Sequence, residues 1–425
     1  MIDRRATTGL DPAKDSALLL QRMGFFTLGI ALPVSAMVSR RAAVVLAPIG
    51  VALLVIAAIL SEPERFIRSL KRRSVKATAL VLALLVGWSL LSTTWAPAGA
   101  RGVDRIVNML FALVIGIMGV AALPERVRAA NLNALAVGAG VATVIAAITQ
   151  ATGYGLGDTE DDATILARGM ALIVILTGPL VAWLFSRGRT KGAFALFATV
   201  AATSVLVRDP VLVAALVAGT AAFALVAGFG ARMVSLVATG CVLLVVLAPG
   251  LPWVIKSGLG SALGLEQALI GRFANWVSTI ANAPVKLITG HGFGAVLAPL
   301  SGAAPRGPLP TSILVDIWHE LGLVGAAAFA AAIWFAMRAV RVLSPVIQAG
   351  AIAAYIAALS LGILGFAGFR AWWLMTLVAL VIITTAVARG QARTDRPLVR
   401  FARAAAAAGE PSRPTMATRS TTGNS

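Results

Sequence analysis

Apolar runs as long as a lipid bilayer is thick succeed one another through most of this chain, and they limit what it can fold into. They lie near residues 22–38, 42–61, 77–95, 106–123, 132–150, 166–185, 192–207, 211–228, 233–255, 312–336, 345–366 and 371–388. A helix needs roughly 17–25 mainly apolar residues to cross the hydrocarbon core. The expected fold is therefore an all-α integral membrane protein of about twelve transmembrane helices. Composition agrees. The chain is 59% hydrophobic and 12% charged, whereas a soluble domain is about 25% charged, so soluble enzymes are poor candidates. The excess of 36 Lys+Arg over 17 Asp+Glu would ordinarily point to nucleic acid. Here the basic residues are scattered between apolar runs, and no nucleic-acid partner is expected. The single cysteine, Cys241, sits in an apolar run, and the histidines are His291 and His319 alone. That excludes a disulfide scaffold and a cysteine or multi-histidine metal site. No metal and no cofactor is expected.

Charge sets the orientation, because short loops rich in Lys and Arg stay in the cytoplasm. With a cytoplasmic N-terminus, the basic turn Arg65–Lys76 lies inside. So do Arg126 and Arg128, the Arg187/Arg189/Lys191 turn, Arg232, Arg338 and Arg341, and the basic C-terminal tail. The acidic stretch Asp158–Asp162 falls outside, and Arg40-Arg41 is the one discordant outer turn. Twelve spans put both termini in the cytoplasm. A single broken helix over 192–228, split at Arg208-Asp209-Pro210, would lower the count and invert the orientation of the later spans. Residues 1–388 form the polytopic domain, and 389–425 form a disordered basic tail that solvates itself or touches anionic membrane lipid. No cleavable signal peptide and no internal repeat stand out.

The one long extramembrane segment is 256–311, on the outer side. Apolar residues at helical spacing over Leu265–Ile280 predict a helix that Pro284 stops. Gly290, Gly292 and Gly294 then allow positive φ and close backbone approach. Long ordered loops on such proteins usually carry function.

GRFANWVSTIANAPVKLITGHGFG resembles the O-antigen ligase/Wzy-like polymerase superfamily, which has an Arg, a Trp four residues on, then a Pro and a Gly-x-Gly turn. Here these are Arg272, Trp276, Pro284, Gly290, Gly292 and Gly294. PTSILVDIWHELGLVG is similar to the same family's segment opening the next helix, with Thr311, Ser312, Trp318, Glu320, Gly322 and Gly325 in the matching positions. TSVLVRDPVLVAALVAG, with Arg208, WSLLSTTWAP (Trp88–Pro97) and the pair Arg168-Gly169 opening the sixth span also fit, so the resemblance covers about 80–340.

The resemblance implies a lipid-linked glycan transferase of GT-C-like architecture in the bacterial inner membrane, with its active site on the periplasmic side. Such an enzyme moves a glycan from a polyprenyl diphosphate-linked donor to an acceptor hydroxyl. The acceptor is a lipid A-core sugar for a ligase and a growing glycan for a polymerase; polysaccharide assembly proteins are possible partners. The reaction would be inverting and independent of metal. Negative charge grows on the diphosphate as the anomeric bond breaks, and fixed cations stabilise it. Arginine suits this because its planar fork pairs two oxygens and stays charged. Arg168, Arg208 and Arg272 are the diphosphate-binding candidates, with Arg306 and Lys286 as steering charges.

The acceptor hydroxyl needs a base. The family's histidine position holds Thr311, whose hydroxyl cannot serve as imidazole does. Asp316, His319 and His291 are the candidate substitutes. By helix geometry Asp316 and His319 lie about 7.5 and about 12 Å beyond Thr311 on the same helix. Other roles stay open for each: Arg208 pairing with Asp209, Arg168 pairing with Asp161 or Asp162, His319 and Glu320 bonding neighbouring helices. Two other functions stay open as well, a transporter of a small anion or other solute, and a non-catalytic member of an envelope assembly complex.

Overall fold

The computed structural model describes residues 12–71, 73–97, 99–153, 160–254, 276, 279–295, 312–365 and 368–390. Every regular element among them is helical. Among the described residues each apolar run is helical over most of its length. α1 is Pro12–Phe26, extended by a π-helical turn Thr27–Ala31 and by Leu32–Ala36; α2 is Ala42–Ser61 and α3 Pro63–Leu70. α4 is Arg73–Ser92, α5 Gly99–Ala122, α6 Ala129–Thr152, α7 Glu160–Ser186, α8 Thr190–Leu206, α9 Pro210–Phe229, α10 Ala231–Val246 and α11 Leu251–Val254. α12 is Lys286–Thr289, α13 Ile313–Ala339, α14 Pro345–Ile363 and α15 Ala371–Gly390. Among the described residues nine helices are long and apolar enough to cross a membrane, and three shorter apolar helices accompany them, Leu80–Trp95, Thr190–Leu206 and Ala231–Val246. The chain is an all-α, multi-pass membrane protein.

The stretch 192–228 forms two helices, α8 and α9. Arg208 turns the chain between them at φ 58°, and Asp209 Oδ1 caps α9 by accepting the Val211 N–H at 2.9 Å. Three boundaries move from the sequence reading. α7 starts at Glu160, so Arg168 stands two turns inside the helix and does not open it. α15 runs to Gly390, so Arg389 belongs to the membrane domain and donates to the Leu123 carbonyl. The apolar run 233–255 is a 16-residue helix followed by the 3₁₀ turn Ala248–Gly250 and α11.

α7 is the central helix. Residues Met170 to Leu176 are all buried on it, within a core that includes α1, α2, α6 and α15. Small residues bring the backbones together. A methyl group at Gly178 of α7 would lie 2.5 Å from the Gly350 carbonyl of α14, and one at Gly219 of α9 would lie 2.9 Å from the Ala353 carbonyl. Lipid gives helices no hydrophobic reason to associate, so this close approach and its dispersion contacts hold the seam.

Helix ends that touch fall into two sets. Arg65 and Arg389 both reach the Leu123 carbonyl, and Trp183 donates to Asn133 Oδ1 at 3.2 Å. These join α3 and the ends of α15 and α7 to the segment that enters α6. At the other end of the bundle lie the turn holding Arg40, Arg168 of α7 and Trp372 of α15, which line one void, and the cluster around Glu320.

Candidate functional site

A second core packs α4, α5, α10 and α13 around Trp276, Phe293 and Phe369. At its centre α13 is broken. Gly322 takes φ 63°, ψ −157° inside an otherwise continuous helix. A helix break presents carbonyls that need donors, and the 290–294 turn brings two of them. The His291 N–H donates to the His319 carbonyl at 2.8 Å and the Gly292 N–H to the Glu320 carbonyl at 3.0 Å. The third comes from α4, where Trp88 Nε1 donates to the Leu321 carbonyl at 2.9 Å.

Both segments need glycine where they meet. A methyl group at Gly290 (φ 74°) would sit 2.3 Å from the Glu320 carbonyl oxygen, and one at Gly322 would sit 2.5 Å from Gly290 N. Gly292 and Gly294 also have positive φ, as expected from the sequence. Pro284 lies two residues beyond the helical backbone that ends at Asn282.

Glu320 ties three elements into one clasp. It is 4% exposed. One carboxylate oxygen accepts from Arg105 Nη1 of α5 at 2.9 Å, and the other accepts from the Gly294 N–H at 2.9 Å. The Phe293 N–H donates to Ser92 Oγ of α4 at 3.1 Å, and Trp318 Nε1 closes the end of α10 by donating to the Val245 carbonyl at 2.8 Å. An ionised group this deep is costly unless paired and hydrogen-bonded, and Glu320 is both.

The two histidines stack at the rim of the clasp, ring centroids 4.2 Å apart and planes 21° from parallel. His319 is buried and His291 half-buried. His291 Nδ1 lies 3.2 Å from the His319 carbonyl. A carbonyl accepts only, so this contact places the proton on Nδ1 and leaves the Nε2 lone pair as the acceptor. Burial holds the His291 pKa below its ordinary value of 6.5; the bond to the His319 carbonyl opposes this, and the Lys286 charge adds to it.

The structure brings together Trp276, Gly290, His291, Gly292, Gly294, His319, Glu320 and Gly322. Asp316 precedes Glu320 by one turn on the same helix and is half-exposed. Arg272, Thr311, Asp161 and Asp162, Arg306 and the 265–275 part of the expected helix lie outside the described residues or side chains. Arg208 is exposed on the α8–α9 turn. Arg168 stacks over Trp372 at 5.3 Å and lines a small void with Arg40.

Arg105 and Ser92 were missed by the sequence reading. A carboxylate inside an apolar helix calls for a cation at the same depth, and Arg105 stands in the second turn of α5 on the same side. No family model, curated protein or solved structure matches the chain.

Proposed function

We propose that this protein transfers a glycan from a polyprenyl diphosphate-linked donor to an acceptor hydroxyl, at the periplasmic end of a twelve-span inner-membrane bundle of GT-C-like architecture. One observation carries the reading. Segments 88–95, 290–294 and 318–322 resemble the O-antigen ligase/Wzy-like superfamily, are far apart in sequence, and meet in one hydrogen-bonded clasp. His291 is the base. Its Nε2 takes the acceptor proton as the hydroxyl oxygen bonds the anomeric carbon, and the bond to the lipid diphosphate breaks on the opposite face. Arg272, four residues before the buried Trp276, and Arg208 and Arg168 supply positive charge to the leaving diphosphate.

The test uses purified protein, a lipid diphosphate-linked glycan and an acceptor glycan. His291→Ala is expected to lower transfer by roughly 10²–10⁴-fold, the usual range for a general base, with donor binding kept. Arg272→Ala and Arg208→Ala abolish transfer while the protein remains folded. Full transfer by His291→Ala and Arg272→Ala together would overturn the reading. A deletion strain separates ligase, which leaves lipid-linked polymer to accumulate, from polymerase, which leaves a single lipid-linked repeat.

A transporter is the second reading, favoured by the break in α13 and by the buried Glu320–Arg105 pair beside it, since discontinuous helices and intramembrane ion pairs mark many transport sites. Solute uptake in proteoliposomes that Glu320→Gln abolishes, with glycan transfer absent from the unaltered protein, would establish it instead.

A further inference from the structure

A groove of about 380 Å³ opens between α7, α8, α9 and α14, away from the clasp. This lies within the ~300–1,000 Å³ of small-molecule pockets, but the wall is hydrocarbon. Phe185, Phe194, Phe197 and Phe223 line it, with Phe185 packed edge-on against Phe194 at 5.5 Å. Its two polar side chains, Thr177 and Thr220, donate to the Ile173 and Leu216 carbonyls of their own helices. The seam of α14 against Gly178 and Gly219 closes the back.

Length and charge identify the occupant. The groove follows α7 from Val174 to Phe185, about 17 Å at ~1.5 Å per residue, and stops just short of the α7–α8 turn. Half of a hydrocarbon core is ~15 Å, so it runs the depth of one leaflet. At its end stand Arg187, Arg189 and Lys191, all exposed, and Arg232 opens α10 beside it. Arg187 itself is stacked over Trp183 at 4.6 Å, on the face of α7 that meets Asn133 of α6, and so turns away from the groove. The sequence from Ala163 to Leu265 holds one acid, Asp209, and Asp209 sits at the opposite ends of α8 and α9. The mouth is therefore basic without a local counter-charge from this stretch.

We propose that the groove seats an acyl chain of an anionic glycerophospholipid, its phosphate held by Arg189, Lys191 and Arg232. A second copy of the chain would have to match an apolar slot that ends in three cations; a lipid of that leaflet has this pattern by its construction. The site is independent of the chemistry assigned to the clasp.

The test measures lipid binding by native mass spectrometry and by thermal unfolding of delipidated full-length protein. Phosphatidylglycerol, phosphatidylcholine with the same chains, and glycerol phosphate are the probes. One phosphatidylglycerol binds per chain, at least about tenfold tighter than phosphatidylcholine, and its advantage shrinks in high salt. Glycerol phosphate does not bind at the same concentration. Arg189→Gln with Lys191→Gln weakens phosphatidylglycerol roughly thirtyfold and leaves phosphatidylcholine unchanged. Ala224 and Ala227 are exposed on the groove wall; replacing both with Phe fills the groove without touching the core and removes both lipids, with the lipid-free melting temperature unchanged. Equal binding of the two lipids by the unaltered protein overturns the proposal. So does retention of phosphatidylglycerol by the filled groove, or a dimer that the filled groove converts to monomer.

Discussion

Glycine does opposite work in two regions of this molecule. At the clasp, Gly290 and Gly322 adopt left-handed backbone that a side chain strains, and the result is polar, with N–H and carboxylate groups joined across three elements. At the α7–α14 seam, Gly178 and Gly350 are ordinary helical residues that contribute space alone, and the result is apolar and smooth. The first arrangement specifies one geometry; the second binds two cylinders without saying what either is for. A membrane protein with no aqueous driving force between its helices can be held by either, and this one divides them between a site and a scaffold.

Substitutions test that division. Gly322→Val meets both penalties, a β-branched residue at positive φ and a methyl group against backbone. It should cost about 3–5 kcal/mol in thermal unfolding of detergent-solubilised protein; a stable, native-like variant would mean the break is incidental. Glu320→Ala removes a buried ion-pair member and leaves the Gly294 N–H without its acceptor, for about 3 kcal/mol, and protease should then cut the 290–295 turn faster. Gly178→Leu tests the seam. Overpacking costs about 1–3 kcal/mol but should leave protection of the clasp against hydrogen exchange unchanged; lost protection there would merge the two regions into one.

Acidity gives the smallest effect. His291 titrates below its unfolded value, so its contribution is present above about pH 6.5 and is lost as pH falls from that value through the folded one. Stability should decline with acidification, and His291→Asn should flatten that slope; an unchanged slope would assign it to other groups.

Hydropathy made the helices legible. A lipid-length apolar run has one conformation open to it, and 42–61 matched its helix to the residue. The glycine turn at 290–294 was legible because alternating glycines ahead of a helix have few other uses. The break at Gly322 was not, since one glycine in an apolar run changes neither hydropathy nor apparent length. That hid the freed carbonyl of His319, which accepts the His291 N–H and brings the two rings into a stack. Arg105 was hidden because pairing across 215 positions leaves no local pattern. Of the arginines singled out by charge and resemblance, Arg168 packs on Trp372 and Arg208 lies on an exposed turn, while Arg272 lies outside the described residues. Common sidedness is weaker information than contact.

The indole of Trp88 has a consequence for how the protein is made. Its partner carbonyl at Leu321 lies 233 positions later, and the remaining donors to the break are on the turn synthesised just before α13. α4 and α5 must therefore wait in the bilayer, with Trp88 and Arg105 not yet engaged, through the synthesis of half the chain. The arrival of Glu320 then locks early and late segments together in one step, so a chain truncated before α13 would present every earlier helix and still lack the clasp.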